Sequence, residues 1–372
     1  MSAPGAVALA AARPLRIDIA VNNFNYGTFV AEAIDSALAQ DYPHVRVIVV
    51  DDGSTDDSRE IIGGYGKRIA IVLKENGGQG SAFNAGFAAG DGDIVMFLDA
   101  DDLLDPLIAA RVADAFTVQP QAAKVQWHLE LADASGAPTG IVKPGPHLPL
   151  PDGDMRRAEL AFPFDIAWTA TSGNAYPRWA LSELLPMPEP DYRIAADAYL
   201  QHLPALLGPV VSLEPVGALR RVHGANLHEQ ATNDSLDVAR VRTSIRSARV
   251  TSAHLDLLAA RLGLDRGERR RALSVSYLAQ RLISLRLEPS EHPIAGEHRA
   301  RLLLLGLRAA AGRFDVAPPL RLAFALWFLA VAFAPRAIAR RLGELLLFPE
   351  RRGGVNRVLA VLHRGYERLG SD

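Results

Sequence analysis

The chain has 372 residues, 49% hydrophobic and 22% charged, with no cysteine and a formal net charge of -2. That composition is that of a folded globular protein with room for one large domain and a smaller appendage. It excludes disulfides, zinc–thiolate sites and thiol nucleophiles and gives no global electrostatic reason to expect nucleic acid as a partner. The charge is uneven: residues 301–372 hold 12 arginines against 5 acidic residues, a net +7, which leaves -9 for residues 1–300.

Residues 1–12 are small and apolar but lack the basic start of a secretory signal. Residues 1–14 are therefore expected to form a disordered leader on a cytoplasmic protein. Strand and helix patterns then alternate. Residues 15–21 read as a strand, and Phe29, Ala33, Ile34, Ala37 and Leu38 give 28–40 helical spacing. A nearly continuous apolar strand follows at 45–50. Asp51-Asp52-Gly53-Ser54-Thr55-Asp56 is a turn with helix-capping residues, leading to a helix at 57–65. A strand at 69–73, a small-residue helix at 80–89 and a strand at 94–98 complete the series. This order implies a parallel sheet with right-handed crossovers, binding ligands at the C-terminal strand ends.

The last of these strands ends in Asp99, Asp101 and Asp102, three carboxylates within four positions. Such clustering is costly without a cation, and a hard divalent ion bridging to substrate phosphates offsets the repulsion. The bland alternative is a helix opening at Pro106 and capped by Asp102 or Asp105. It needs one aspartate and leaves two unexplained. Residues 124–131 form a further strand, followed by a Pro- and Gly-rich irregular loop at 134–153 placed to cover a site, then mixed structure over 166–230. After residue 231 only helical stripes remain: Val241, Ile245, Ala248, Leu255, Leu258 and Leu262, then Val275, Leu278, Leu282 and Leu285, ended by Pro289.

Two further clusters lie at strand ends. Asn22-Asn23-Phe24-Asn25-Tyr26-Gly27 beside Asp51-Asp52 offers amides, an aromatic face and a carboxylate, which suit a nucleobase. Taken alone, each is ordinary turn chemistry. Residues 76–86 place Gly77, Gly78 and Gly80 before a helix, where glycines permit close approach of a ligand and the helix start favours anions. This is neither a Walker loop nor a dinucleotide fingerprint.

In this order and spacing, the clusters resemble the inverting family 2 glycosyltransferases of the GT-A fold over residues 17–105, with weaker matches to about residue 230. The resemblance implies a Rossmann-like, mostly parallel sheet flanked by helices over 15–230, followed by an all-α region over 231–372. It implies a nucleotide diphosphate-sugar as donor, UDP by default, a glycan or lipid-linked acceptor, and Mn²⁺ or Mg²⁺. Phe24 would border the base, Asp51 or Asp52 would accept its ring N–H, and Asp99 would hold the ribose side. Asn22, Asn25, Asn76, Gly78, Gln79, Asn84 and Ala100 would complete the donor site, with Ser172 and Gly173 in a glycine loop beneath the sugar. Asp101 would bind the metal, with His223 of Arg221-Val222-His223 completing its shell. Asp197 falls at the place of the catalytic carboxylate. The chain departs from the family pattern where Asn22 replaces a proline, Phe83 an arginine and Ala196 a glutamate.

Two other readings share this sequence. One keeps the fold and takes a polyprenyl phosphate as acceptor, whose oxygen anion needs little help from a base. The other is a nucleotide-sugar-binding scaffold without turnover. Within segment 315–352 lies an apolar run, 322–334, with Arg321 before it and Arg336, Arg340 and Arg341 after it. At 13 residues it is short of the ~20 that span a bilayer. It suits either a helix lying in a membrane interface or a helix packed on the catalytic domain or in a homodimer.

Overall fold

A computed structural model describes residues 13–145, 148, 150–224, 236–264 and 273–347, and the leader expected over 1–14 falls almost wholly outside them. The chain divides into two compact units: Met1–Gly145, Leu150–Asp154 and Trp168–Asn226 form the first, and Pro146–Pro149, Met155–Ala167 and Leu227–Asp372 the second. Residues 155–167, placed with the sheet domain by the sequence, thus belong with the helices. The Asp165 carboxylate accepts from the N–H groups of Val275 and Ser276 and pairs with Arg313.

In the first unit β1 (Ile17–Asn23), α1 (Gly27–Leu38), β2 (Val45–Asp51), α2 (Ser58–Gly64), β3 (Ala70–Leu73), α3 (Gln79–Ala89) and β4 (Ile94–Asp99) alternate as the pattern predicts. The strands are near-continuous apolar runs because both faces are covered. Ile17, Ile19 and Val21 share a core with Val30, Ala33 and Ile34 of α1, while Ala20 on the other face lies against Gly86 of α3. Parallel pairing in the order β3-β2-β1-β4 puts β2 on one side of β1 and β4 on the other. The crossovers reverse direction between them, and such switch points are where open α/β sheets bind ligands. Asn23 stands opposite Asp51 and Asn22 opposite Asp99, so the three strands deliver their polar ends in register.

Beyond β4 the sheet is mixed. β5 (Leu103–Leu104), α4 (Ile108–Val118), β6 (Lys124–Ala132) and β7 (Pro138–Lys143) lead, past α5 (Arg156–Ala161) of the second unit, to β8 (Asn174–Pro177) and α6 (Arg178–Ser182). Helices α7 (Asp197–His202) and α8 (Pro204–Leu207) precede β9 (Val210–Arg221). β8 runs antiparallel to β4 and β6, β9 parallel to β6, and β5 antiparallel to β9. Two expectations are corrected. Part of the loop at 134–153 is β7, which folds back on β6 through a turn whose Asp133 carboxylate accepts from the N–H groups of Ser135 and Ala137. Such side-chain bonding is what makes aspartate a turn former. Helix α4 begins at Ile108 rather than Pro106, after Asp105 Oδ1 accepts from Leu107 N–H at 3.0 Å.

The second unit is helical throughout its described C-terminal part: α9 (Val238–Arg261), α10 (Val275–Leu287), α11 (Arg299–Gly312), α12 (Pro318–Phe333) and α13 (Arg336–Leu347). Asp237 caps α9 by accepting from the N–H groups of Ala239 and Arg240, and α10 stops short of Pro289 as expected. Val241, Ile245, Leu278, Leu282, Leu302, Phe328 and Val331 form one core. Among the described residues no helix is long and apolar enough to cross a membrane.

Candidate active site

At the end of β2, both carboxylates are buried and occupied by the protein's own donors. Asp51 Oδ1 accepts from Arg59 Nε at 2.7 Å and Ser54 N–H at 3.1 Å, and Oδ2 from Asn23 Nδ2 at 3.0 Å. Burial opposes its charge, but bonds from Ser54, Arg59 and Asn23 outweigh this and hold the carboxyl below the ordinary carboxylate range. Asp52 Oδ1 accepts from Lys74 Nζ and Gly77 N–H, and Oδ2 from Gly78 N–H at 2.7 Å and Asn76 Nδ2 at 3.2 Å. The fully buried Asp51 thus braces the turn with every bond that it makes within the chain. Asn25, though exposed, is tied to that loop. It sits at φ 58°, and its Oδ1 accepts from Thr55 N–H at 2.7 Å.

Residues 76–80 do not present an open anion cradle. Gly78 sits at φ +89°, and a Cβ there would come 2.5 Å from Arg193 Cα. The close approach predicted for a ligand is made instead by the chain's own segment 192–196. The first amides of α3 are taken by it: Gln79 N–H donates to Arg193 O at 3.0 Å and Gly80 N–H to Tyr192 O at 2.8 Å. Arg193 returns a bond to Asn76 Oδ1 at 2.7 Å. Farther along α3, Asn84 exchanges two bonds with the backbone of Met187, at 2.8 and 3.0 Å. Asn76, Gly78 and Asn84 thus hold one part of the chain to another.

At the switch point the arrangement differs. Asn22 Nδ2 donates to Leu98 O at 3.4 Å, while its Oδ1 is buried without a hydrogen-bond partner. Its neighbour Phe24 is 43% exposed and offers a ring face. Asp99, opposite Asn22, is pushed up to about 7 by burial, then by the charges of Asp101 and Asp197. Asp102 is also raised, by burial and its two neighbours. It is held in place by Ser172 Oγ at 2.7 Å and Arg221 N–H at 3.0 Å. Ser172 is therefore a support for Asp102, and Gly173 is small because a Cβ would press on Thr169 and the Trp127 carbonyl. Both residues support the loop through these contacts. Ala100 is buried, its N–H on Asn22 O.

Asp101 Oδ2 lies 3.1 Å from His223 Nε2. The imidazole is fixed by stacking on Phe29, centroids 4.6 Å apart, and by the edge of Tyr26. Arg221 braces the turn from behind, its Nε on Asp101 O and a terminal nitrogen on Glu32. Tyr26 belongs to the first strand-end cluster but had no role assigned from the sequence. Its hydroxyl is raised by burial, then by Asp101, Asp99 and Asp102, so it stands among the carboxylates. Among the described residues no three His, Cys, Asp or Glu converge as a metal cage. Asp101 and His223 could hold a divalent cation whose remaining ligands would come from outside the protein, as Mg²⁺ sites commonly arrange.

Asp197 opens α7, half-buried, within the field of Asp99 and of Tyr176. Gln201 Nε2 donates to its Oδ2 at 3.0 Å. The residue two before it, Ala195, is held at φ 59°. Gln79 links the two halves: its Nε2 lies 3.5 Å from Asp99 Oδ1, and its Oε1 accepts from Ala196 N–H at 2.9 Å.

The family described as Glycosyl transferase family 2 matches residues 18–128, which contain the ends of β1, β2 and β4. An uncharacterised glycosyltransferase of Nostoc sp. is 34% identical over 223 residues, 59% of this chain and 68% of that protein. The chain is a family 2 glycosyltransferase. An uncharacterised glycosyltransferase of Rickettsia prowazekii is 42% identical over 90 residues, 24% of this glycosyltransferase but only 28% of the relative. Among solved structures, S. aureus TarS 1-349 in complex with UDP-GlcNAc aligns at a TM-score of 0.49 and 16% identity, covering 91% of this chain and 92% of that one. The first unit of the glycosyltransferase has the GT-A arrangement expected of its family: a mixed sheet with a parallel half, β3-β2-β1-β4.

Proposed function

We propose that this glycosyltransferase moves a sugar from a nucleoside diphosphate donor, UDP by default, to an acceptor hydroxyl of a glycan or lipid-linked molecule, with inversion and with a divalent cation. The observation that carries the reading is the meeting, at one switch point, of the unpartnered Asn22 Oδ1, Asp99 and the Asp101–His223 pair. A buried acceptor without a partner is costly and calls for a donor. A ring N–H of uracil supplies one, with Phe24 at its face and Asp99 toward the ribose. This moves base recognition from the saturated Asp51 to Asn22.

Asp101 and His223 would hold the cation, which when bound neutralises the diphosphate and stabilises the charge that develops on it. Asp197, oriented by Gln201, takes the proton of the acceptor hydroxyl. The oxygen then bonds to the anomeric carbon as the bond to the diphosphate breaks and its electron pair leaves with the nucleotide. One displacement inverts the centre.

The test is a thermal-shift panel of nucleotide sugars with and without Mn²⁺, followed by turnover of Asp197→Asn. Asp197→Asn should lose roughly 10²–10⁴ in turnover with donor affinity nearly unchanged. Near-normal turnover would mean an acceptor already ionised, such as a polyprenyl phosphate. No stabilisation by any nucleotide sugar would remove the donor site itself.

A further inference from the structure

We propose that the outward face of α12 docks on an anionic lipid surface, a claim independent of the donor and mechanism above. After Arg321, α12 is apolar on all sides, yet only part of it is used internally. Leu320, Phe328, Val331 and Ala332 are buried, whereas Leu322, Leu326, Leu329 and Phe333 are 60%, 55%, 39% and 69% exposed. Spacings of four, three and four residues put these four side chains on one stripe of the helix, roughly 16 Å long at the helical rise. Scattered surface leucines need no explanation, but a contiguous stripe marks an interaction surface.

The surrounding charge selects the partner. Between Arg299 and Leu347 the chain has 8 arginines and 2 acidic residues. Both acids are engaged internally: Asp315 is buried against Arg313, and Glu344 accepts from Leu236 N–H. Arg301 and Arg308 on α11 and Arg336 and Arg341 on α13 are exposed. The Arg299 guanidinium lies 5.8 Å from the centroid of the Phe333 ring, at the end of the stripe. An apolar stripe ending in an aromatic and flanked by arginines suits a helix lying in the plane of a membrane, its side chains in the acyl boundary and its guanidinium groups at the phosphates. At 16 residues α12 is too short to span. A second copy of this chain, meeting the same face about a two-fold axis, would bring arginine against arginine. Anionic headgroups supply the opposite charge.

Flotation of the full chain with vesicles of phosphatidylcholine and phosphatidylglycerol tests this against phosphatidylcholine alone. Binding should require the anionic lipid and weaken as salt is raised. Leu326→Ser and Phe333→Ser should each weaken it by about tenfold, the loss expected for one large apolar side chain. Arg336→Glu with Arg341→Glu should abolish the preference for anionic vesicles. All three variants alter exposed side chains, so their melting curves should match the parent and show that the fold is kept. Failure of the parent to float with anionic vesicles at low salt would overturn the proposal, as would unchanged binding of both serine variants. A concentration-dependent dimer in sedimentation, lost in those same variants, would assign the face to a second copy and overturn it too.

Discussion

β2 and β4 end alike in sequence, each a buried apolar strand running into adjacent aspartates, and the molecule uses the two ends in opposite ways. At β2, Asp51 and Asp52 together receive Arg59, Lys74, Asn23, Asn76 and three backbone amides. At β4, Asp99 and Asp102 are raised because they face burial and one another, and Asp101 faces an imidazole. The donors at β2 hold the charges of both its aspartates, whereas at β4 the bonds to Asp102 leave the repulsion among three carboxylates, which the proposed function assigns to a cation. The difference lies in what surrounds the aspartates, since the residue type is the same at both ends.

The comparison breaks most visibly at Asp52. Asp52→Ala would strand four donors, two of them backbone amides at Gly77 and Gly78, and should cost about 3–5 kcal/mol in urea unfolding, the range for breaking a buried ionic network. A stable variant with weakened nucleotide binding would instead put Asp52 at the base. Next, Asp101→Asn should leave the metal-free protein within about 1 kcal/mol of the parent, because it relieves repulsion in the cluster. It should also erase Mn²⁺-dependent stabilisation, which for the parent reaches about 2.7 kcal/mol when the ion is at 100 times its Kd. Calorimetry showing an unaltered Mn²⁺ response would remove Asp101 from the metal site.

The smallest effect is in pH. The folded state holds Asp51 below its unfolded value, so its contribution is complete above the ordinary aspartate range near 3.8 and fades as pH falls through the lower folded value. Asp51→Asn should therefore flatten the acid limb of the stability curve below about pH 4 without changing its slope near neutrality. An acid limb as steep as the parent's would place the titrating group elsewhere.

Much of the first 105 residues was legible because each strand and helix carries its own period, and the carboxylates at Asp99–Asp102 announce themselves by crowding. What separates Asp51 and Asp52 from them was not, because their cations, Arg59 and Lys74, are 8 and 22 residues away and look like ordinary surface charges. The glycines at 77–80 are ambiguous for a related reason: a small residue signals close approach without naming the visitor, and one visitor is the backbone of Arg193, more than a hundred residues on. Tyr26 was hidden inside a turn-like cluster, and the link that Gln79 makes between Asp99 and Ala196 spans too much of the chain to be read from its motif. β9 was missed because its half-exposed stretch around Glu214 and Pro215 interrupts any strand period.

Asn22 and Asn23 alternate across β1, the amide nitrogen of one on Leu98 O and that of the other on Asp51 and Ser54. Adding or deleting a single residue in that strand would exchange the two amides and turn the whole apolar set over as well. β1 therefore acts as a length gauge. New specificities at this end of the cleft are open to point substitution and closed to insertions or deletions.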